Sequence, residues 1–178
     1  MVRAQDHAAA CEAGDAKACF FASESYLKRE SNAADKEKGL SFLKKSARLG
    51  AAPAYNQIGL LYLQGDVLSQ DLALAHKCFY KAATKGYFMA FFNLAQMYAN
   101  GIGVAKDATR AKMWLLLTEE VAPHQLRQSE TFTKVDTAVS EQLSEENVGK
   151  ARADVELFKN GLYVAPPTTE KFFGDPGF

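Results

Sequence analysis

The sequence of 178 residues lacks the charge imbalance and the long apolar runs that mark several classes of protein. Lysine plus arginine and aspartate plus glutamate both number 21, so no overall charge favours nucleic acid or an anionic membrane as the partner, although local patches remain open. No run reaches the roughly eighteen apolar residues of a membrane span. Residues 1–10 also lack the apolar core of a signal peptide. We therefore expect no membrane insertion, and either a cytosolic protein or one whose leader is missing from this sequence.

The arrangements of side chains that carry catalysis are also lacking. No pattern of serine, histidine, cysteine or carboxylate residues indicates a nucleophile paired with a base. The acid pairs Glu119–Glu120 and Glu145–Glu146 stand at predicted helix ends, where acids are commonly solvated or favour the helix dipole. Gly101 and Gly103 follow a predicted helix without the third glycine and the lysine of a phosphate loop. We therefore predict no enzyme, no catalytic residue and no cofactor.

A metal site is also not expected. His7 stands four residues before Cys11, a spacing that can present two ligands on one helix face. Only one further cysteine, Cys19, is near, and no carboxylate joins the pattern. The prediction is that no metal is bound.

What the sequence does have is a repeat with a period of thirty-six residues. Gly14, Gly50 and Gly86 coincide when the chain is shifted by this period. Three further sets of residues coincide in the same way: Ala18, Ala54 and Ala90; Tyr26, Tyr62 and Tyr98; and Asp35, Asp71 and Asp107. A fixed period of this length indicates stacked copies of one supersecondary unit.

Each copy is predicted to be a pair of helices, because apolar residues recur at three- and four-residue spacing on both sides of a turn. In the first copy, 31–35 supply a turn and an N-cap before a second helix over 36–49. Gly59 falls within a predicted helix, which favours close approach of a neighbouring helix at that point. The predicted segments are an N-terminal half-repeat helix over 1–13, repeats over 14–49, 50–85 and 86–121, a C-terminal helical cap over 122–161 with helices at 125–143 and 144–160, and an extended tail over 162–178.

The third repeat has the clearest pattern, with Ala90, Leu94, Ala95 and Tyr98, then 101–104 as Gly-Ile-Gly-Val, Asp107, Ala111 and Trp114. These residues resemble the Sel-1-like repeat family, relatives of the tetratricopeptide repeat. The resemblance covers roughly 1–120 and implies an all-α fold, a right-handed α/α solenoid. The first repeat departs from the pattern because it lacks the Gly-x-Gly-Val turn and has Phe42 at the position of Trp114.

The resemblance also bears on the three cysteines. Cys11 and Cys19 lie eight residues apart across the turn at Gly14, and the cysteine-rich branch of the family pairs cysteines at this spacing, which implies a disulfide. Two reduced buried thiols are the alternative. Cys78 is expected in the core, because it corresponds to Phe42 and Trp114. A disulfide would indicate a periplasmic or otherwise exported protein, with the cytoplasm as the alternative.

The expected activity is binding another protein or a peptide. Solenoids of this type present the first helix of each repeat to the concave face, so the residues of these helices that point away from the core are the candidate site. The partner-binding candidates are Phe20, Glu24, Asn56, Leu60, Gln64, Phe92, Gln96 and Asn100. Two exposed aromatic rings, Phe20 and Phe92, with amides between them suit a peptide groove. The alternative is that these rings only fill gaps between repeats.

We thus expect a bacterial protein that acts as a protein–protein interaction adaptor. One alternative is an immunity protein that neutralises a secreted toxic effector. The alternative from another class is a hydrolase acting on cell-wall or lactam substrates.

Overall fold

The computed structural model describes residues 4–28 and 31–163, and the regular secondary structure within these ranges is entirely helical. The chain divides into two compact units, with the boundary between Lys85 and Gly86. Residues 1–3 of the predicted half-repeat helix and residues 164–178 of the predicted tail lie outside the described residues.

The first unit contains five helices within its described residues: α1 (Ala4–Glu12), α2 (Ala16–Tyr26), α3 (Ala33–Arg48), α4 (Ala52–Gln64) and α5 (Leu72–Ala83). Two of these helices have an aspartate as their N-cap. The side chain of Asp15 accepts hydrogen bonds from the amides of Lys17 and Ala18 at the start of α2, and that of Asp71 accepts one from Leu74 at the start of α5. Each bond satisfies an amide that has no partner within its own helix.

The start of α3 differs from the prediction. The helix begins at Ala33 rather than at residue 36, and its N-cap is Asn32, whose side-chain oxygen accepts a hydrogen bond from the amide of Asp35 at 2.9 Å. Asp35 therefore lies inside the first turn, although Asp71 and Asp107 at the corresponding positions are N-caps. The reason is that an asparagine three residues earlier caps the helix first.

Two features hold the first unit together. A cluster of Cys11, Cys19, Ala22 and Phe42 joins the first three helices. Between α4 and α5, a Cβ atom placed on Gly59 would lie 2.6 Å from the ring of Phe79, which is fully buried. The predicted close approach at Gly59 is therefore confirmed.

The second unit contains α6 (Phe88–Asn100), α7 (Ala108–Val121), α8 (His124–Arg127), α9 (Glu130–Ser140) and α10 (Glu145–Lys159). The single helix predicted over 125–143 is wrong, because the chain forms α8 and α9 there. The hydroxyl of Ser129 accepts a hydrogen bond from the amide of Phe132 at 3.2 Å and so starts a new helix. Ser144 caps α10 in the same way through the amide of Asn147.

An aromatic cluster forms much of the core of the second unit. The ring of Trp114 lies 5.0 Å from Phe158 of α10 and 6.0 Å from Phe91 of α6. Both α9 and α10 pack against α7. The repeated core position predicted from the period is buried in all three copies, as Phe42, Cys78 and Trp114. The expectation that Cys78 lies in the core is therefore confirmed.

Candidate partner-binding groove

The disulfide predicted between Cys11 and Cys19 is present. The two residues have their Cα atoms 4.5 Å apart and are fully buried. The bond links the end of α1 to α2, so that both helices are tied at the turn that contains Gly14. Cys78, the third cysteine, lies outside this bridge.

Two of the eight candidate binding residues are buried, which contradicts their predicted exposure. Phe92 is 5% exposed, and its ring lies 5.7 Å from that of Phe132. The repeat pattern does not include α9, which covers this side of α6. Asn56 is also 5% exposed. The reason is that α4 packs against both α3 and α5, so more than one face of this helix is buried. The hypothesis that Phe92 is an exposed anchor is wrong.

The other six candidates retain contact with solvent. Glu24, Gln64 and Asn100 are exposed, whereas Phe20, Leu60 and Gln96 are half-buried. Asn100 donates a side-chain hydrogen bond to the backbone oxygen of Gln96 at 3.0 Å, so this amide is partly engaged within its own helix.

Phe20 lines an apolar pocket of about 480 Å³ in the first unit, which we call the first-repeat groove. Its walls come from the first half of α2 and from the turn that leads into α4. The lining residues are Ala16, Lys17, Phe20, Phe21, Leu49, Gly50, Ala51 and Pro53. Two of them, Phe21 and Leu49, are large apolar residues that are 37% and 45% exposed.

Phe21 is held in place by its neighbours although its side chain reaches solvent. Its ring lies 5.3 Å from the ring of His7 and 6.1 Å from that of Phe20. The ammonium of Lys17 lies 5.7 Å from the centre of the same ring, within the range of a cation–π contact. The groove thus presents an ordered aromatic surface.

Sequence reasoning named Phe20 but missed Phe21, Leu49 and Pro53. A signal was available for Phe21, because the period of thirty-six residues places Gln57 and Asn93 at the corresponding positions of the next two repeats. A ring that replaces two amides is unusual for a repeated position. Leu49 and Pro53 carry no such signal, since only folding brings them beside α2.

The second unit has a different pocket, of about 410 Å³, between α7 and α10. Its lining includes Glu119, Glu120 and Glu156 together with Leu116 and Val155. Burial raises the pKa of Glu119, an effect that Lys112 opposes. The ammonium of Lys159 lies 2.9 Å from a carboxylate oxygen of Glu120 and 3.2 Å from one of Glu156. Hydrogen bonds to both raise the pKa of Lys159, so these charges compensate one another within the fold.

Neither a metal centre nor a membrane span is found in the part of the chain that the structure describes. No three histidine, cysteine, aspartate or glutamate side chains there are placed to hold a metal ion. None of the helices in those ranges combines the length and the apolar character needed to cross a bilayer.

Several solved structures are similar to this chain, and two of them are described here. One is a protective antigen present in uropathogenic Escherichia coli strains that displays an SLR fold, with a TM-score of 0.74, 22% identity and 93% of this chain covered. This chain spans only 34% of the length of that antigen. The other is a Sel1 repeat protein from Oxalobacter formigenes, with a TM-score of 0.61 and 26% identity, covering 75% of this chain and 96% of its own.

A search of curated proteins found no match. The family model of the Sel1 repeat matches residues 16–50, 52–87 and 89–118, which together make up more than half of the chain. The all-helical architecture agrees with that of an α/α solenoid of such repeats. The predicted fold class and family are therefore confirmed, and the chain belongs to the Sel1 repeat family.

Proposed function

We propose that this protein is a non-enzymatic adaptor that binds another protein or a peptide, and that the first-repeat groove is a docking site. Sel1 repeats typically mediate protein–protein interaction, which supports the general class of activity. The groove lies on α2, the first helix of the first repeat, which is the part of the repeat that the sequence favoured for binding. Of the candidates predicted from sequence, Phe20 belongs to this site.

The observation that carries the proposal is the exposure of Phe21 and Leu49 beside the half-buried Phe20. Aromatic side chains at the centre of interfaces contribute a large share of binding energy, because they bury much apolar surface with little loss of conformational freedom. Three large apolar side chains around one concavity supply such a centre. Exposed apolar groups that gather around a pocket indicate an interaction site more strongly than scattered ones.

The exposed ring at position 21 is particular to the first repeat. The corresponding positions of the other two repeats carry the amides of Gln57 and Asn93, so a repeat of this type packs without an aromatic ring there. The ring of Phe21 contacts His7, yet 37% of Phe21 remains exposed, and a partner would cover that apolar surface. The exposed ring supports a site in the first repeat over one in the other two.

We further propose that the protein works in an oxidising compartment, such as a periplasm. The buried disulfide between Cys11 and Cys19 supports this, because such bonds are rare where thiols are kept reduced. Cells are quenched in acid, and alkylation of the denatured, unreduced protein then tests the proposal, because all three cysteines are buried in the folded chain. Protein extracted with one alkylated cysteine supports it, and protein extracted with three alkylated cysteines contradicts it.

The docking site is tested by photocrosslinking followed by binding measurements. A photoreactive phenylalanine analogue at position 21 should capture a partner in the native host, whereas the same analogue at the exposed Leu157 of α10 serves as the control. With the captured protein purified, Phe21→Asp and Leu49→Asp should each weaken binding by about tenfold or more. Leu157→Asp should leave the affinity unchanged. Equal affinities for all three variants would contradict the docking site.

The two alternative functions predict different results. Capture of one dedicated partner that is toxic without this protein would indicate an immunity protein, whereas several partners would support an adaptor. A hydrolase would instead require turnover of a cell-wall or lactam substrate by the purified chain. Turnover that is lost in Glu119→Gln or Glu120→Gln would contradict the non-enzymatic proposal.

A further inference from the structure

We propose that the first-repeat groove recognises a partner segment in which a large apolar side chain stands next to an acidic one. This inference rests on the proposed function and names the chemistry of the segment that the groove takes. It follows from three properties of the groove: its apolar volume, the two lysines at its edge and the helix end that forms one wall.

The volume accommodates a large apolar side chain. An apolar cavity of about 150 Å³ holds a benzene molecule, and the groove measures about 480 Å³. Its apolar walls are formed by Phe20, Phe21, Leu49 and Pro53. An aromatic or long aliphatic side chain would therefore bury its surface here and remove that of Phe21 and Leu49 from water.

The edge of the groove carries positive charge. Lys17 lines it directly. The ammonium of Lys85 lies 3.6 Å from the point where a Cβ atom on Gly50 would stand, beside Leu49 and Ala51. Both lysines are exposed, and neither forms an ion pair with the residues that the structure describes. Two exposed cations beside an apolar pocket favour a carboxylate next to the apolar anchor.

The start of α4 adds to this positive field. Ala51 is the N-cap of the helix and forms no side-chain capping bond, and a proline stands at the first turn. The N-terminal end of a helix carries partial positive charge, and here Ala51 and Pro53 bring that end to the wall of the groove. The start of α2 differs, because the carboxylate of Asp15 already accepts hydrogen bonds from the amides of Lys17 and Ala18.

A carboxylate at the end of α1 is also engaged elsewhere. Glu12 lies 2.8 Å from the ammonium of Lys45. Neither Asp15 nor Glu12 lines the groove. Lys17, by contrast, does line the groove, so an acidic residue beside the anchor is complementary to the charge there.

Selection from a display library of random twelve-residue peptides on the full-length protein tests the inference, because it presents all chemistries equally. Peptides are eluted, sequenced and remade synthetically, and their affinities are measured by fluorescence anisotropy. We expect enrichment of phenylalanine, tryptophan, leucine or methionine next to aspartate or glutamate.

Variants then separate the apolar anchor from the charge. Phe21→Asp should lower the affinity for the selected peptides by tenfold or more. Lys17→Glu and Lys85→Glu should each lower it by about three- to tenfold at low ionic strength, with a smaller effect in high salt. Lys28→Glu, an equal charge reversal at an exposed side chain just beyond the C-terminal end of α2, is the matched control and should change little.

The outcomes distinguish this inference from the proposed function. Peptides that require Phe21 but show no preference for acidic residues, or that bind Lys17→Glu and Lys85→Glu as tightly as the unchanged protein, overturn the inference and leave the docking site intact. Peptides that bind Phe21→Asp normally, or a library that yields none, overturn the groove as a docking site. Thermal unfolding of every variant confirms that binding losses do not come from unfolding.

Discussion

The ring of Phe79 lies 2.6 Å from the position that a Cβ atom on Gly59 would occupy, and the backbone oxygen of Ala75 lies 3.2 Å from the same point. Gly59 therefore allows α4 and α5 to approach each other within the second repeat. Phe79 is fully buried, so its ring has little room to move away.

The first prediction concerns this contact. Gly59→Ala should lower the free energy of unfolding by about 1 to 3 kcal/mol, because overpacking outweighs the roughly 1 kcal/mol gained in helix propensity. Gly149→Ala in α10 is the matched control, since a Cβ atom there meets nothing within 4 Å. It should be neutral or stabilising by up to about 1 kcal/mol. Urea unfolding of both variants provides the measurement, and similar losses in the two would contradict the close approach.

The second prediction concerns the disulfide. Thiol labelling of denatured, unreduced protein should modify one cysteine, and labelling after reduction should modify all three cysteines of the sequence. Reduction should lower the free energy of unfolding by about 2.5 kcal/mol, because it reopens a short loop in the unfolded chain. Cys78→Ser should abolish labelling of the unreduced protein. Labelling that persists in this variant would mean that the bridge is incomplete.

The third prediction compares a buried phenylalanine with an exposed one. Phe92→Ala should lower the free energy of unfolding by about 3 to 5 kcal/mol, because its buried ring packs against Phe132. Phe21→Ala should cost much less, since 37% of Phe21 is exposed. Denaturant melts of the two variants give the comparison. A small loss in Phe92→Ala would restore Phe92 as a surface candidate.

The fourth prediction concerns the caps of the second helices of the repeats. Asp71→Ala and Asp107→Ala should each lower the free energy of unfolding by about 0.5 to 2 kcal/mol, because each carboxylate accepts a bond from an amide of the first turn. In the first repeat, Asn32→Ala should have this effect instead. Asp35→Ala should cost less than Asn32→Ala, and the reverse order in thermal or urea unfolding would contradict the observed start of α3.

The sequence determined the features that depend on local spacing and repeat in every copy. Helical pairs follow from apolar residues at three- and four-residue intervals, and the cap at Asp107 follows from its position before such a stripe. Gly14, Gly50 and Gly86 coincide in the period because each lies in the turn after a helix with a positive φ, of 96°, 93° and 77°, which side chains disfavour. The burial of Phe42, Cys78 and Trp114 was predictable for the same reason, since one position of the repeat always faces the core.

Only the tertiary structure decided which members of a repeated position reach solvent. Phe20, Asn56 and Phe92 are equivalent in the period, yet Phe20 is half-buried at a groove while the other two are buried. Their burial depends on the neighbouring helices, and α9, which covers Phe92, lies outside the repeat pattern. The groove itself joins Phe20 and Phe21 to Leu49, which is distant along the chain. The local sequence of each segment does not predict this contact, because only the packing of separate helices brings Leu49 beside α2.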